Sequence, residues 1–162
     1  MHAPLTVPEG SDRATRYGLL LPQATALLQG ERDAVAAMAN IAALVHGAFQ
    51  WHWTGFYRVI GEELVLGPFQ GPPACSTIAF GRGVCGSAWA EGRTLIVPDV
   101  ELFPGHIACS ALSRSEIVVP IRGRNGQWAA VLDIDSSLPN DFDALDQEGL
   151  AAICALLGPL IP

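Results

Sequence analysis

The apolar patterning predicts an α+β fold, a central antiparallel sheet flanked by N- and C-terminal helices. Three observations carry this. Helical periodicity is confined to residues 14–49 and 143–157, short β-type runs separated by glycines fill the middle, and Asn125-Gly126 stands between two of those runs. Hairpin-linked strands between terminal helices favour an antiparallel sheet covered on one face or more.

Residues 1–12 hold two prolines and several polar residues and read as a flexible lead-in, leaving 13–162 as one domain. The Ala/Leu-rich stretch Ala14–Leu28 predicts a short helix limited or kinked by Pro22. From Asp33 to Phe49, apolar residues recur at Val35, Met38, Ile41, Ala42, Val45 and Phe49, and the opposite face is mostly alanine. That spacing is a helix able to lie against a sheet. Strands are expected at Thr54–Ile60, Glu63–Phe69, Ser76–Phe80, Arg93–Pro98, Glu116–Ile121 and Gln127–Asp135. Asn125-Gly126 suits a type I′ turn between the last two. Residues 81–115 form one long excursion that includes a Gly-rich loop. Asp143–Leu157 closes the chain as a helix, with Asp143 as cap, Asp146 behind it and Gly158-Pro159 as stop.

Bulk properties exclude several classes of function. Half the residues are apolar and 15% are charged, which fits a packed domain and not a disordered chain. All nine basic residues are arginines, scattered singly in a chain of net charge −7, so nothing matches a nucleic-acid backbone. No apolar run reaches the roughly 18–20 residues of a membrane span. The N-terminus lacks the pattern of a signal peptide, and a cytoplasmic, reducing location follows as the expectation. The four cysteines, at 75, 85, 109 and 154, then begin as thiols without any C-x-x-C. Zinc bound by Cys75, Cys85, His106 and Cys109 is disfavoured because structural zinc ligands come in close pairs. No metal and no cofactor are expected.

The chemistry-bearing residues lie between Trp51 and Asp135. Three glycines surround Cys85 in Gly81-Arg82-Gly83-Val84-Cys85-Gly86, where backbone can approach a ligand closely. His106 and Cys109 are three apart, and a shared helical turn would bring imidazole and thiol together. Asp133 and Asp135 alternate in an apolar strand, so both carboxylates project to one face. Glu116 opens the preceding strand. Three acids converging on one pocket repel, so at least one holds a proton near neutral pH. Trp53 and Tyr57, four apart in a strand, either wall a small apolar group or fill core.

Trp53-Thr54-Gly55-Phe56-Tyr57, Leu66-Gly67-Pro68-Phe69-Gln70-Gly71, Ala74-Cys75, Gly81 to Gly86, Gly105-His106-Ile107-Ala108-Cys109, Ser115-Glu116-Ile117-Val118 and Val131-Leu132-Asp133-Ile134-Asp135-Ser136 together resemble the free methionine-(R)-sulfoxide reductases, enzymes built on a GAF domain. The likeness spans about residues 30–157. It implies reduction of free L-methionine-(R)-sulfoxide to methionine by a redox-active disulfide mechanism used against oxidative stress. Cys109 would attack the sulfoxide sulfur and pass through a sulfenic acid. Cys75 would resolve it to a disulfide, with Cys85 as alternative or relay, and thioredoxin would reduce the disulfide. Glu116, Asp133 and Asp135 would protonate the leaving oxygen and bind the substrate ammonium. Trp53 and Tyr57 would hold the methyl group, in a pocket sized for one amino acid. The resemblance also implies a homodimer. Ser110, Leu112, Arg114 and Ala130 depart from the family pattern, and Cys154 matches no family cysteine. Two other readings stand beside it: a GAF module that binds a ligand without catalysis, and a zinc-bound structural domain.

Overall fold

The computed structural model describes residues 7–107 and 109–162. The first six residues of the expected lead-in lie outside the described residues. Asp12, its last residue, caps α1 by accepting from Thr15 N–H. α1 (Arg13–Leu28) runs through Pro22 without ending, and α2 (Ala34–Phe49) follows with Asp33 as its cap. The strands are β1 (Trp53–Ile60), β2 (Glu63–Gln70), β3 (Thr77–Ala79), β4 (Leu95–Val97), β5 (Ser115–Arg122) and β6 (Trp128–Ser136). α3 (Gly83–Glu91) lies between β3 and β4, and α4 (Ala144–Leu157) closes the chain under the expected Asp143–Asp146 capping box. All strand pairs are antiparallel, in the order β3-β2-β1-β6-β5-β4.

The central strands read as nearly continuous apolar runs because both faces of the sheet are buried. Phe56, Ile117, Val119, Ile121, Leu132 and Ile134 meet α1, α2 and α4 on one face. Trp53, Tyr57, Val118 and Val131 meet α3, β3, β4 and Val100 on the other. Successive strand residues alternate between these two cores. Cys154 is buried in the helical core, as a small apolar side chain would be. α1 and α4 are joined by fully buried Asp146, which accepts from Arg13, from Tyr17 Oη (2.9 Å) and from Asp143 N–H (3.0 Å). Arg13 also bonds Asp141, and Ser136 donates to the same carboxylate. The segment leaving β6 is thereby anchored to the helical layer just past Asp135.

Two sequence expectations are corrected here. The excursion from 81 to 115 contains α3, which begins inside the supposed Gly-rich loop. Gly83 and Gly86 are poor helix formers and hid the spacing of Val84, Ala88 and Trp89, which burial stabilises. Gly86 is required there. A Cβ on it would lie 2.5 Å from the Ala79 carbonyl oxygen, so only glycine lets α3 seat against the end of β3. The β5–β6 hairpin is also not type I′, since Asn125 keeps a negative φ. Gly126 N–H donates to Gly123 C=O (2.9 Å) and Gly123 N–H to Gln127 C=O (2.8 Å), a type I turn with Gly126 left-handed at φ +80°. The Asn125 side chain accepts from Gln127 N–H and holds the three-residue loop.

Gly86→Ala is expected to cost about 1–3 kcal/mol of stability by overpacking, a fall in Tm of several degrees by thermal denaturation. An unchanged Tm would show that α3 is free to shift.

Candidate active site

The register of two strands assembles the acids. Glu116 lies directly opposite Asp135 and Val118 opposite Asp133, so the three carboxylates stand on one face of the β5–β6 pair. β1 supplies the adjoining wall, where Trp53 pairs with Asp135 and Gly55 with Asp133. Gly55 offers no side chain on that face, and the Trp53 ring occupies the space its Cβ would need. The Trp53 ring lies 6.0 Å from that of Tyr57 and 5.3 Å from that of Phe69. Trp53 Nε1–H donates to Pro72 C=O (3.1 Å) and Tyr57 Oη–H to Cys75 C=O (3.0 Å). Both polar tips therefore hold the segment that carries Cys75.

The roof comes from the segments around Cys75 and Cys109, which are joined by a disulfide with 5.5 Å between their Cα atoms. His106 and Cys109 share no helical turn. His106 N–H donates to Phe103 C=O and Cys109 N–H to Ile107 C=O, in irregular backbone. His106 reaches Glu116 instead, with Nε2 3.8 Å from Oε2. Ser110 accepts or donates across to His52 Nε2 at 2.9 Å, a second tie from the roof to the start of β1. The first turn of α3 closes the remaining side, and Gly83, Val84 and Cys85 line the cavity.

Seven of the eight sequence-predicted residues, Trp53, Tyr57, Cys85, Cys109, Glu116, Asp133 and Asp135, line this one cavity, and the eighth, Cys75, is joined to it through its disulfide with Cys109. Sequence reasoning missed the α3 terminus, Ser110 with His52, and Ser113. With the disulfide closed, the space inside the cavity is about 40 Å³, enough for a few waters. The zinc set built on Cys75 and Cys109 is also excluded in this form, because the disulfide consumes both thiols.

Burial dominates the electrostatics. Glu116 and Asp133 are each 6% exposed, and burial followed by mutual repulsion raises both carboxyls well above their ordinary range. Asp135 is pushed up to about 6 by burial, opposed by a hydrogen bond from Ser113. Cys85, its Sγ 3.9 Å from Glu116 Oε1, is held as a neutral thiol by burial and by the neighbouring acids. Burial also lowers His106, so the His106–Glu116 contact joins groups that favour their neutral forms. Among the described residues, Asp133 Oδ1 is buried with no hydrogen-bond partner. The cavity thus stores protons beside two sulfur centres and keeps one acceptor unspent.

The GAF domain family model matches residues 33–161. GAF domain-containing protein A of Dictyostelium discoideum is 52% identical over 94% of this chain and 96% of that protein. The free methionine-R-sulfoxide reductase of Escherichia coli is 46% identical over 82% of this chain and 80% of its own length. This chain belongs to the free methionine-R-sulfoxide reductase family. The same reductase from Neisseria meningitidis, in a crystal structure with its substrate, superposes with a TM-score of 0.93 at 49% identity, covering 98% of this chain and 94% of that one. In this free methionine-R-sulfoxide reductase family member, the GAF sheet carries the three acids on the face that the disulfide roofs.

Asp135 gives a pH test of this site. Between its ordinary value of 3.8 and about 6, the folded chain holds a proton that the unfolded chain has lost. Stability therefore falls as pH rises through that window and stays lower above it. Asp135→Asn is expected to be more stable than wild type at pH 8 by on the order of 1–3 kcal/mol, and nearly equal at pH 4. Denaturant titrations at both pH values check this, and an equal difference at each would rule out the buried proton.

Proposed function

We propose that this chain, an oxidoreductase of its family, reduces free methionine-(R)-sulfoxide to methionine through Cys109 and Cys75. The observation that carries the reading is the Cys75–Cys109 disulfide over a cavity walled by Glu116, Asp133 and Asp135. A sulfoxide oxygen leaves only once protonated, and buried neutral carboxyls are suited to supply that proton.

The reaction begins with both cysteines reduced and the roof open. The substrate ammonium pairs with the acid cluster, where Asp133 Oδ1 has an open lone pair. The free N–H groups of the first turn of α3 (Gly83, Val84, Cys85) take the substrate carboxylate. The methyl end meets the Trp53 and Tyr57 rings. With both charged ends enclosed, a methionine sulfoxide within a polypeptide does not fit. Cys109 thiolate attacks the sulfur, Glu116 or Asp133 delivers a proton, and oxygen passes to Cys109 as methionine leaves. Cys75 thiolate then attacks the sulfenic acid, forming the disulfide, and the departing hydroxide takes a proton from a neutral carboxyl of the cavity and leaves as water. Cys85 lies in the floor as a neutral thiol, which favours Cys75 as the resolving residue. A dithiol protein such as thioredoxin returns two electrons to the disulfide, whose cysteines are both partly exposed.

Steady-state and single-turnover assays with free methionine-(R)-sulfoxide test this. Cys109→Ser is expected to form no methionine above background. Cys75→Ser is expected to form about one methionine per chain and then stall with thioredoxin. Cys85→Ser should retain the disulfide and a measurable rate. Methionine formation by Cys109→Ser, or no turnover by the wild type, would defeat the assignment.

A further inference from the structure

One group of side chains in the cavity is only partly absorbed by the proposed reaction. Cys85 Sγ, a Glu116 oxygen and an Asp133 oxygen all lie within 4.8 Å of one another, each on a side chain more than nine-tenths buried. His106 Nε2 stands 3.8 Å from Glu116 Oε2, and Cys85 Sγ stands 3.9 Å from Glu116 Oε1. Among the described residues, Asp133 Oδ1 is buried without a partner. The donors come from four places in the chain: α3, the roof, β5 and β6.

We propose that Cys85, Glu116 and Asp133, whose donor atoms already stand together, form with His106, brought in by a small movement of the roof, a binding site for a borderline-soft divalent ion, with zinc as the reference case, and that the ion competes with substrate. A tetrahedral zinc ion with bonds of about 2.0–2.3 Å separates its donors by roughly 3.3–3.8 Å. The Cys85 Sγ–Glu116 Oε1 separation, 3.9 Å, is within a few tenths of an ångström of that, and His106 Nε2 lies 3.8 Å from the other Glu116 oxygen, Oε2. One sulfur, one imidazole nitrogen and two carboxylate oxygens suit zinc or cobalt and not magnesium or calcium, which take oxygen ligands. A dication removes the repulsion among the acids and binds the Asp133 oxygen that has no partner. Its binding expels the Cys85 proton. This set shares only Cys85 and His106 with the zinc arrangement considered from spacing, and it leaves the Cys75–Cys109 pair out. Competition with substrate rests on the proposed function, since both ligands use Glu116 and Asp133. Metal binding itself does not.

The test is titration of zinc chloride, then cobalt chloride, into the full-length Cys75→Ser/Cys109→Ser protein. In it the roof is untethered and Cys85 is the sole thiol facing the cavity, Cys154 being in the helical core. The expected result is one ion per chain with proton release, and for cobalt a thiolate charge-transfer band. Adding Cys85→Ala should abolish the band and weaken binding at least tenfold, as should His106→Ala for affinity, while Cys154→Ala should leave both unchanged. Free methionine-(R)-sulfoxide should raise the apparent Kd in proportion to its concentration. No stoichiometric binding by the folded double variant, or binding that survives Cys85→Ala, would overturn the site. If the site fails while the wild type still reduces the sulfoxide, the proposed function stands alone. If the ion binds as described but sulfoxide neither competes nor is turned over, the metal site stands and the reductase reading falls.

Discussion

Three carboxylates on one face of an antiparallel strand pair, roofed by cysteines and largely withdrawn from water, set the terms for the rest of the molecule. Burial of like charges is unfavourable, and here it is relieved by keeping protons on Glu116 and Asp133. Such an arrangement persists only where the surrounding fold is well determined. The helical face supplies that support: a dry core of Phe56, Ile117, Leu132 and Ile134 beneath the acids, with the Asp146 hub fixing the chain just beyond β6. Stability is collected on one side of the sheet and spent on the other.

Much of this was legible in the residues. Alternation in Leu132-Asp133-Ile134-Asp135 places two acids on one face whatever surrounds them, and the register with β5 needed only the short hairpin at Asn125-Gly126. The long helices α2 and α4 follow from periodicity and caps. α3 did not, because its nine residues include two glycines, of which Gly86 serves approach to β3 and Gly83 close packing on Ile107, and neither serves propensity. The roof was illegible for a different reason. Cys75 and Cys109 are 34 residues apart, joined by no periodic pattern, and their meeting depends on Tyr57 and Trp53 holding one segment while His52 holds the other. The turn type failed because Asn-Gly permits two hairpins, and Asn125 used its side chain to stabilise the one with a negative φ.

The helical face and the cavity face also differ in how they treat sulfur. Cys154 packs in the helical core, where burial alone raises its pKa. Cys85 is equally buried but stands among acids and an imidazole, so its environment is polar and proton-rich. Burial by itself therefore does not separate an inert cysteine from a chemically engaged one. The neighbours do.

The small volume left beneath the closed disulfide has a kinetic meaning for the proposed reaction. In that reaction methionine leaves as Cys109 is oxidised and the disulfide closes over the cavity, before the electron donor arrives. Sulfoxide and reductant then visit the protein in alternation, never as a ternary complex. Double-reciprocal plots against sulfoxide at several donor concentrations would run parallel.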